Sequence, residues 1–105
     1  MVITKEKFIE KLNGLLNQKN IPSKTHRATY SSFKIEKKTI TFKRDSTDQI
    51  WKINIDELYK AYANLKSIDN LTKLKPFVGY KTYSPSFAIL MFIGLYNPDG
   101  SLAAY

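Results

Sequence analysis

Cysteine is absent from this 105-residue chain, and histidine occurs once, at His26. The first absence removes disulfides, thiolate nucleophiles and cysteine-bearing zinc sites together. The second leaves no further imidazole to complete a histidine metal site or a catalytic pair. Acidic residues are scarce as well: nine Asp and Glu stand against 17 Lys and Arg, for a net charge of +8. The only acids within three residues of one another are Asp45/Asp48, in a turn where Asp bonds the local backbone, and Asp56/Glu57, at a helix start where the dipole favours acids. Neither pair needs a catalytic explanation. Glycine-rich phosphate loops, HExxH and GxSxG motifs, internal repeats and low-complexity tracts are all missing. No apolar run approaches the ~18 residues of a membrane span, and the opening MVITKEKF mixes charge with apolar residues where a secretory leader is unbroken. A soluble cytoplasmic protein without metal or cofactor is expected.

What is present is enough for one core. With 43% hydrophobic and 13% aromatic residues, residues 1–105 read as a single basic α+β domain. Its organising stretch is Tyr30 to Ile55, which reads YSSFKIE, KK, TITFKR, DSTD, QIWKINI. Three runs rich in β-branched and aromatic residues, broken by two and then four polar residues, predict a three-stranded antiparallel meander. Taking Lys37-Lys38 and Asp45 to Asp48 as the two loops pairs Ile35 with Ile40 and Ile53, and Phe33 with Phe42 and Trp51. Alternation then makes one face from those two apolar rows and the other from Ser32/Lys43/Ile50 and Lys34/Thr41/Lys52. The apolar face must be covered by the flanking helices.

Those helices are legible from spacing. Phe8, Ile9, Leu12, Leu15 and Leu16 form an apolar stripe on a helix from about Thr4, its N-cap, to about Gln18, ending before Pro22. After Ile55 the period changes from two to 3.6, with Asn54 or Asp56 as cap and Leu58, Ala61, Tyr62, Leu65 and Ile68 as the buried stripe. Asp69-Asn70 caps a short helix, LTKLKPFV, that Pro76 kinks or ends and Gly79 terminates. Ser84 and Pro85 suit the cap and first position of a last helix running from Ser86 to Tyr96, FAILMFIGLY, which has almost no polar side and belongs in the core. The architecture expected is an N-terminal helix, the meander, and two to three C-terminal helices packed on one sheet face.

Charge is concentrated. Residues 20–44 carry seven Lys or Arg against Glu36, a net +6 of the total +8. Such asymmetry suits a polyanion, of which nucleic acid is the commonest. Two surfaces are candidates. The loop Ser23 to Thr29 holds Lys24, His26 and Arg27, whose guanidinium and imidazole suit phosphate oxygens. The outer sheet face offers Lys34, Lys43 and Lys52, followed by Arg44, with Tyr30 at its edge to stack on a base. The leading expectation is a small non-enzymatic nucleic-acid-binding protein, DNA or RNA, using these residues. One alternative is a protein-interaction module or inhibitor that docks on a nucleic-acid-handling enzyme through Tyr80, Lys81 and Tyr83 in the loop before the last helix. The other is a metal-free ribonuclease working through His26, Arg27 and Tyr30.

Overall fold

The computed structural model describes residues 3–17, 20–22, 29–79 and 82–103. Helix α1 spans Lys5–Asn13, and Thr4 caps it by accepting from the N–H of Lys7 at 3.2 Å. At Gly14 the helix tightens into a 3-10 turn, Gly14–Asn17, which buries Leu15. The helical stripe is therefore real but ends about one turn earlier as an α-helix than its spacing suggests. Two tyrosines from the helix that follows the sheet pin the entry to α1: Tyr59 donates to the Ile3 carbonyl at 2.7 Å, and the Ile3 N–H donates to the Tyr62 hydroxyl at 2.9 Å.

The sheet is an antiparallel meander of four strands, not three, in the order β1 (Asn20–Pro22), β2 (Thr29–Glu36), β3 (Thr39–Arg44), β4 (Gln49–Asn54). The added strand is three residues long. It pairs Ile21 with Tyr30 and buries Ile21, while Pro22 is tolerated because the strand lies at the sheet edge. Both hairpins have the loops expected, and the expected partners hold: Ile35 with Ile40, Ile40 with Ile53, Phe42 with Trp51.

One part of the register differs. Between Ser31 and Lys34 the β2–β3 pairing shifts by one residue, so that Ser31 faces Lys43 and Tyr30 faces Arg44. Ser32 absorbs the extra residue with a left-handed φ of 57°. This is a β-bulge, and it reverses the in/out sense of everything in β2 that precedes it. Tyr30 turns into the core and Ser31 turns out.

Phe33, Ile40, Phe42 and Ile53 are buried, in one cluster with Leu12, Leu58 and Leu90. Trp51 and Ile35 are only half-buried. Trp51 lies on the last strand and Ile35 beside a hairpin, so each lacks neighbours on one side. Helix α2 spans Ile55–Asn64, capped by the Asn54 side chain on the Glu57 N–H at 3.0 Å. Leu65 leaves the helix in an extended conformation, and Ile68 is buried from the loop beyond. Asn70 caps a 3-10 turn at Leu71–Leu74. Helix α3 spans Tyr83–Phe92, two residues ahead of the expected first position, so Ser84 and Pro85 are inside it and Thr82 is its N-cap. It ends where Gly94 takes a φ of 87°, with Leu95 N–H bonded to Leu90 O and Gly94 N–H to Met91 O. That reciprocal pair is the Schellman arrangement, available because glycine carries no Cβ. Leu95 and Tyr96 therefore reach the core from a turn, not from helix. Residues Pro85 to Leu90 are all buried, as an apolar helix without a polar side requires.

Gly100 closes the last turn. Its φ is 92°, and a Cβ there would collide with the Ile68 carbonyl. The Ile68 N–H donates to the Gly100 carbonyl at 2.7 Å, which joins the C-terminal segment to the loop after α2. Among the described residues no helix is long and apolar enough to cross a membrane.

Candidate functional site

With the helices on one side, the other sheet face carries three cross-strand rows. In the pairing observed they are Glu36/Thr39/Asn54, Lys34/Thr41/Lys52 and Ser31/Lys43/Ile50. Strands about 4.8 Å apart place the Lys34 and Lys52 backbones about 10 Å from each other, with Thr41 between them. Both side chains are exposed and make no ion pair among the described residues. Lys37 joins them from the β2–β3 turn, where it holds a left-handed φ of 53°. A shallow depression of about 330 Å³ lies among Glu36, Lys37, Thr39, Thr41 and Lys52. A second, of about 540 Å³, continues it along the face past Lys34 to Lys43 and Ile50.

The face is not uniformly basic. Lys43 is engaged by Asp48 at 3.3 Å, and at the same end Asp45 accepts hydroxyl hydrogen bonds from Ser31 and, at 2.7 Å, from Thr29. Those two donors, Ser31 first and Thr29 second, hold the Asp45 carboxyl below its ordinary value against the opposing effect of burial, with a lesser contribution from the Lys43 charge. Acids thus cancel much of the field at the Lys43 end. The free cations are gathered at the opposite end, around Lys34, Lys37 and Lys52, with Glu36 as the one acid among them.

Several expected site residues stand elsewhere. Tyr30 is 3% exposed, edge-on to Phe42 at 5.6 Å between ring centres, with its hydroxyl donating to Ser84 at 3.3 Å. It lies on the helix side, because the bulge at Ser32 reverses its direction, and a buried ring cannot stack on a base from the lysine face. Arg44 is also on the helix side, by simple alternation from Phe42 and Lys43, and is partly buried. Lys24, His26, Arg27, Tyr80 and Lys81 lie outside the described residues. Tyr83 is the first residue of α3, half-buried against the core. Lys37 is a member of the site that the strand pattern does not single out, since in sequence it reads only as a turn residue. A signal for it exists: a lysine at a two-residue hairpin tip next to Lys38 has no backbone reason to be there, unlike Asn or Gly.

No cluster of three or more His, Asp or Glu side chains is assembled among the described residues. Tyr96 is strongly perturbed: its hydroxyl donates to the Leu65 carbonyl at 2.6 Å, and its ionisation is pushed well up by burial and then by the neighbouring Tyr62. It is a core strut tying α3's exit to the end of α2. Comparison with known proteins finds no matching family model, no similar curated protein and no similar solved structure.

Proposed function

We propose that the chain is a small non-enzymatic nucleic-acid-binding domain that holds a phosphate backbone on its open sheet face. The observation that carries this reading is the group of exposed lysines, Lys34, Lys37 and Lys52, that make no ion pair among the described residues, around the hydroxyls of Thr39 and Thr41 on the sheet face opposite the described helices. Lysines there supply sequence-independent attraction, and threonine hydroxyls add single hydrogen bonds to phosphate oxygens. Without an outward aromatic among the described residues of this face, base stacking contributes little, so backbone contact dominates and sequence preference is weak. Lys24 and Arg27 add to the total charge of the same quarter of the sequence, beside His26.

The test compares two triple reversals by titration with labelled single-stranded and duplex oligonucleotides at two salt concentrations. Lys34→Glu/Lys37→Glu/Lys52→Glu removes three contacts and should cost more than about 100-fold in affinity at low salt, with the salt slope falling by roughly three. Lys7→Glu/Lys66→Glu/Lys75→Glu makes the same change in net charge on exposed positions away from the face and should bind within a few fold. Equal loss in both variants would mean that charge acts only globally, and intact binding in the first would refute the reading. A protein-docking role is the second reading, favoured by Ile50, 66% exposed in the middle of the same face. Binding that persists as salt rises separates it from the first.

A further inference from the structure

The sheet's two edges are finished differently. β1 closes one with three residues ending in Pro22, which has no N–H to offer. β4 leaves the other open: among the described residues its ladder partner is β3 alone, and it runs six residues without proline. The phase of its hydrogen bonds is set at Ile55, whose N–H donates to the Lys38 carbonyl at 2.7 Å. That pair continues the register in which Ile40 faces Ile53 and Phe42 faces Trp51. Hydrogen-bonded pairs alternate along an antiparallel ladder, so Trp51 and Ile53 turn their backbone groups toward β3 while Ile50 and Lys52 turn theirs away from the sheet.

We propose that this edge pairs with the same edge of a second copy, antiparallel, about a two-fold axis at Trp51. Residues that face each other across such a ladder lie on the same side of the sheet, so the axis must pass through a residue of β4. An axis at Lys52 sets two ammonium groups directly opposite. An axis at Ile50 runs Lys52 against Asp48, whose φ of 56° has already left the extended conformation. At Trp51 the outward groups of Ile50 meet those of the partner subunit's Lys52, and the reverse, while each Lys52 charge faces an isoleucine instead of its own copy. The half-buried Trp51 rings then meet on the helix side, and the exposed Ile50 is covered by the aliphatic stem of the partner subunit's Lys52. The open face becomes continuous across both copies, so that the row of Lys34, Thr41 and Lys52 runs on into the second sheet. That consequence for binding rests on the function proposed above; the pairing itself does not. An edge this short buries less than the ~1,200 Å² of a standard interface, so the dimer is weak and concentration-dependent.

The absence of cysteine makes the register directly readable. Ile50→Cys, Trp51→Cys and Lys52→Cys are each oxidised in the full chain without nucleic acid. Opposed residues at a non-hydrogen-bonded position sit about 4.5 Å apart at Cα, within disulfide reach, so Trp51→Cys should crosslink and the flanking two should not. Crosslinking through 50 or 52 alone, or through none, overturns the proposal. Because Trp51→Cys also removes packing, sedimentation of the unmodified chain and of Ile50→Pro provides a second measure. Proline at 50 deletes an outward N–H without touching the β3 ladder, so it should abolish a dimer that the unmodified chain forms at high concentration. An unmodified chain that stays monomeric throughout overturns the pairing. If oligonucleotide binding is absent while the crosslink forms, the functional reading fails and the pairing stands; binding without a crosslink or a dimer overturns the pairing and leaves the functional reading in place.

Discussion

On the covered face of the sheet Phe33, Ile40, Phe42 and Ile53 are held by contact with one another and with the helices; on the open face, next to them on the same strands, Lys34 and Lys52 make no ion pair among the described residues, and Thr41 has a long 3.5 Å hydrogen bond to the Lys34 carbonyl. The two sets alternate along three strands and share every hydrogen bond of the ladder. Parity therefore decides what a substitution does: on one parity it changes stability, on the other it changes what the surface attracts. The bulge at Ser32 is the one place where the two sets exchange sides, and it puts Tyr30 into the core and Ser31 under Asp45.

Exchanging the two residues whose sides the bulge sets, Tyr30→Ser with Ser31→Tyr, should break the comparison most severely. The bulge then turns the ring to the open face, leaves a hydroxyl and a cavity beside Phe42 where a 3% exposed tyrosine stood, and takes from Asp45 its Ser31 donor. The exchange variant is expected to show no cooperative unfolding transition at about 25 °C by circular dichroism. Ser32→Gly, by contrast, keeps the bulge and relieves the left-handed strain, raising stability by up to about 1 kcal/mol. An exchange variant as stable as the parent would mean that the bulge does not set the face of Tyr30.

A smaller effect separates the centre of the covered face from its edge. Phe42 is 1% exposed and central, so Phe42→Ala should cost about 3–5 kcal/mol in urea denaturation. Trp51 is half-buried on the last strand, and Trp51→Ala should cost only about 1–2 kcal/mol despite the larger ring. Equal costs would show that the β4 edge is as well packed as the middle, and a cost at Trp51 that rises with protein concentration would indicate burial by a second copy.

The smallest effect lies at Asp45. Its folded carboxyl is held below the ordinary value of 3.8, so the stability it contributes is fully present above that pH and is lost as pH falls through the depressed folded value. Ser31→Ala removes the larger of its two donors. The urea midpoints of parent and variant should therefore differ near about pH 6 and converge toward about pH 2. A gap that stays constant across this range would assign the effect to the hydroxyl's own packing and not to the carboxylate's charge.

Much of this protein was determined by local pattern. The two hairpins, their partners, the apolar rows and the caps Thr4, Asn54 and Asn70 all follow from residues within a few positions of one another, where alternation, turn chemistry and capping act without knowledge of the rest of the chain. The displacement of Arg44 to the helix side was also legible, since alternation from Lys43 allows nothing else. Other features were decided only in three dimensions. Asn20 to Pro22 has no readable period and becomes a strand because an edge of β2 was free to receive it. Trp51 has the hydrophobicity of a core residue but half the burial, because no strand follows β4. Most consequential for the site is Tyr30, whose side depends on one bulged residue two positions away. A single residue inserted into a period of two inverts everything on one side of it, and whether the chain inserts one is settled by which of Tyr30 and Ser31 the core has room to bury.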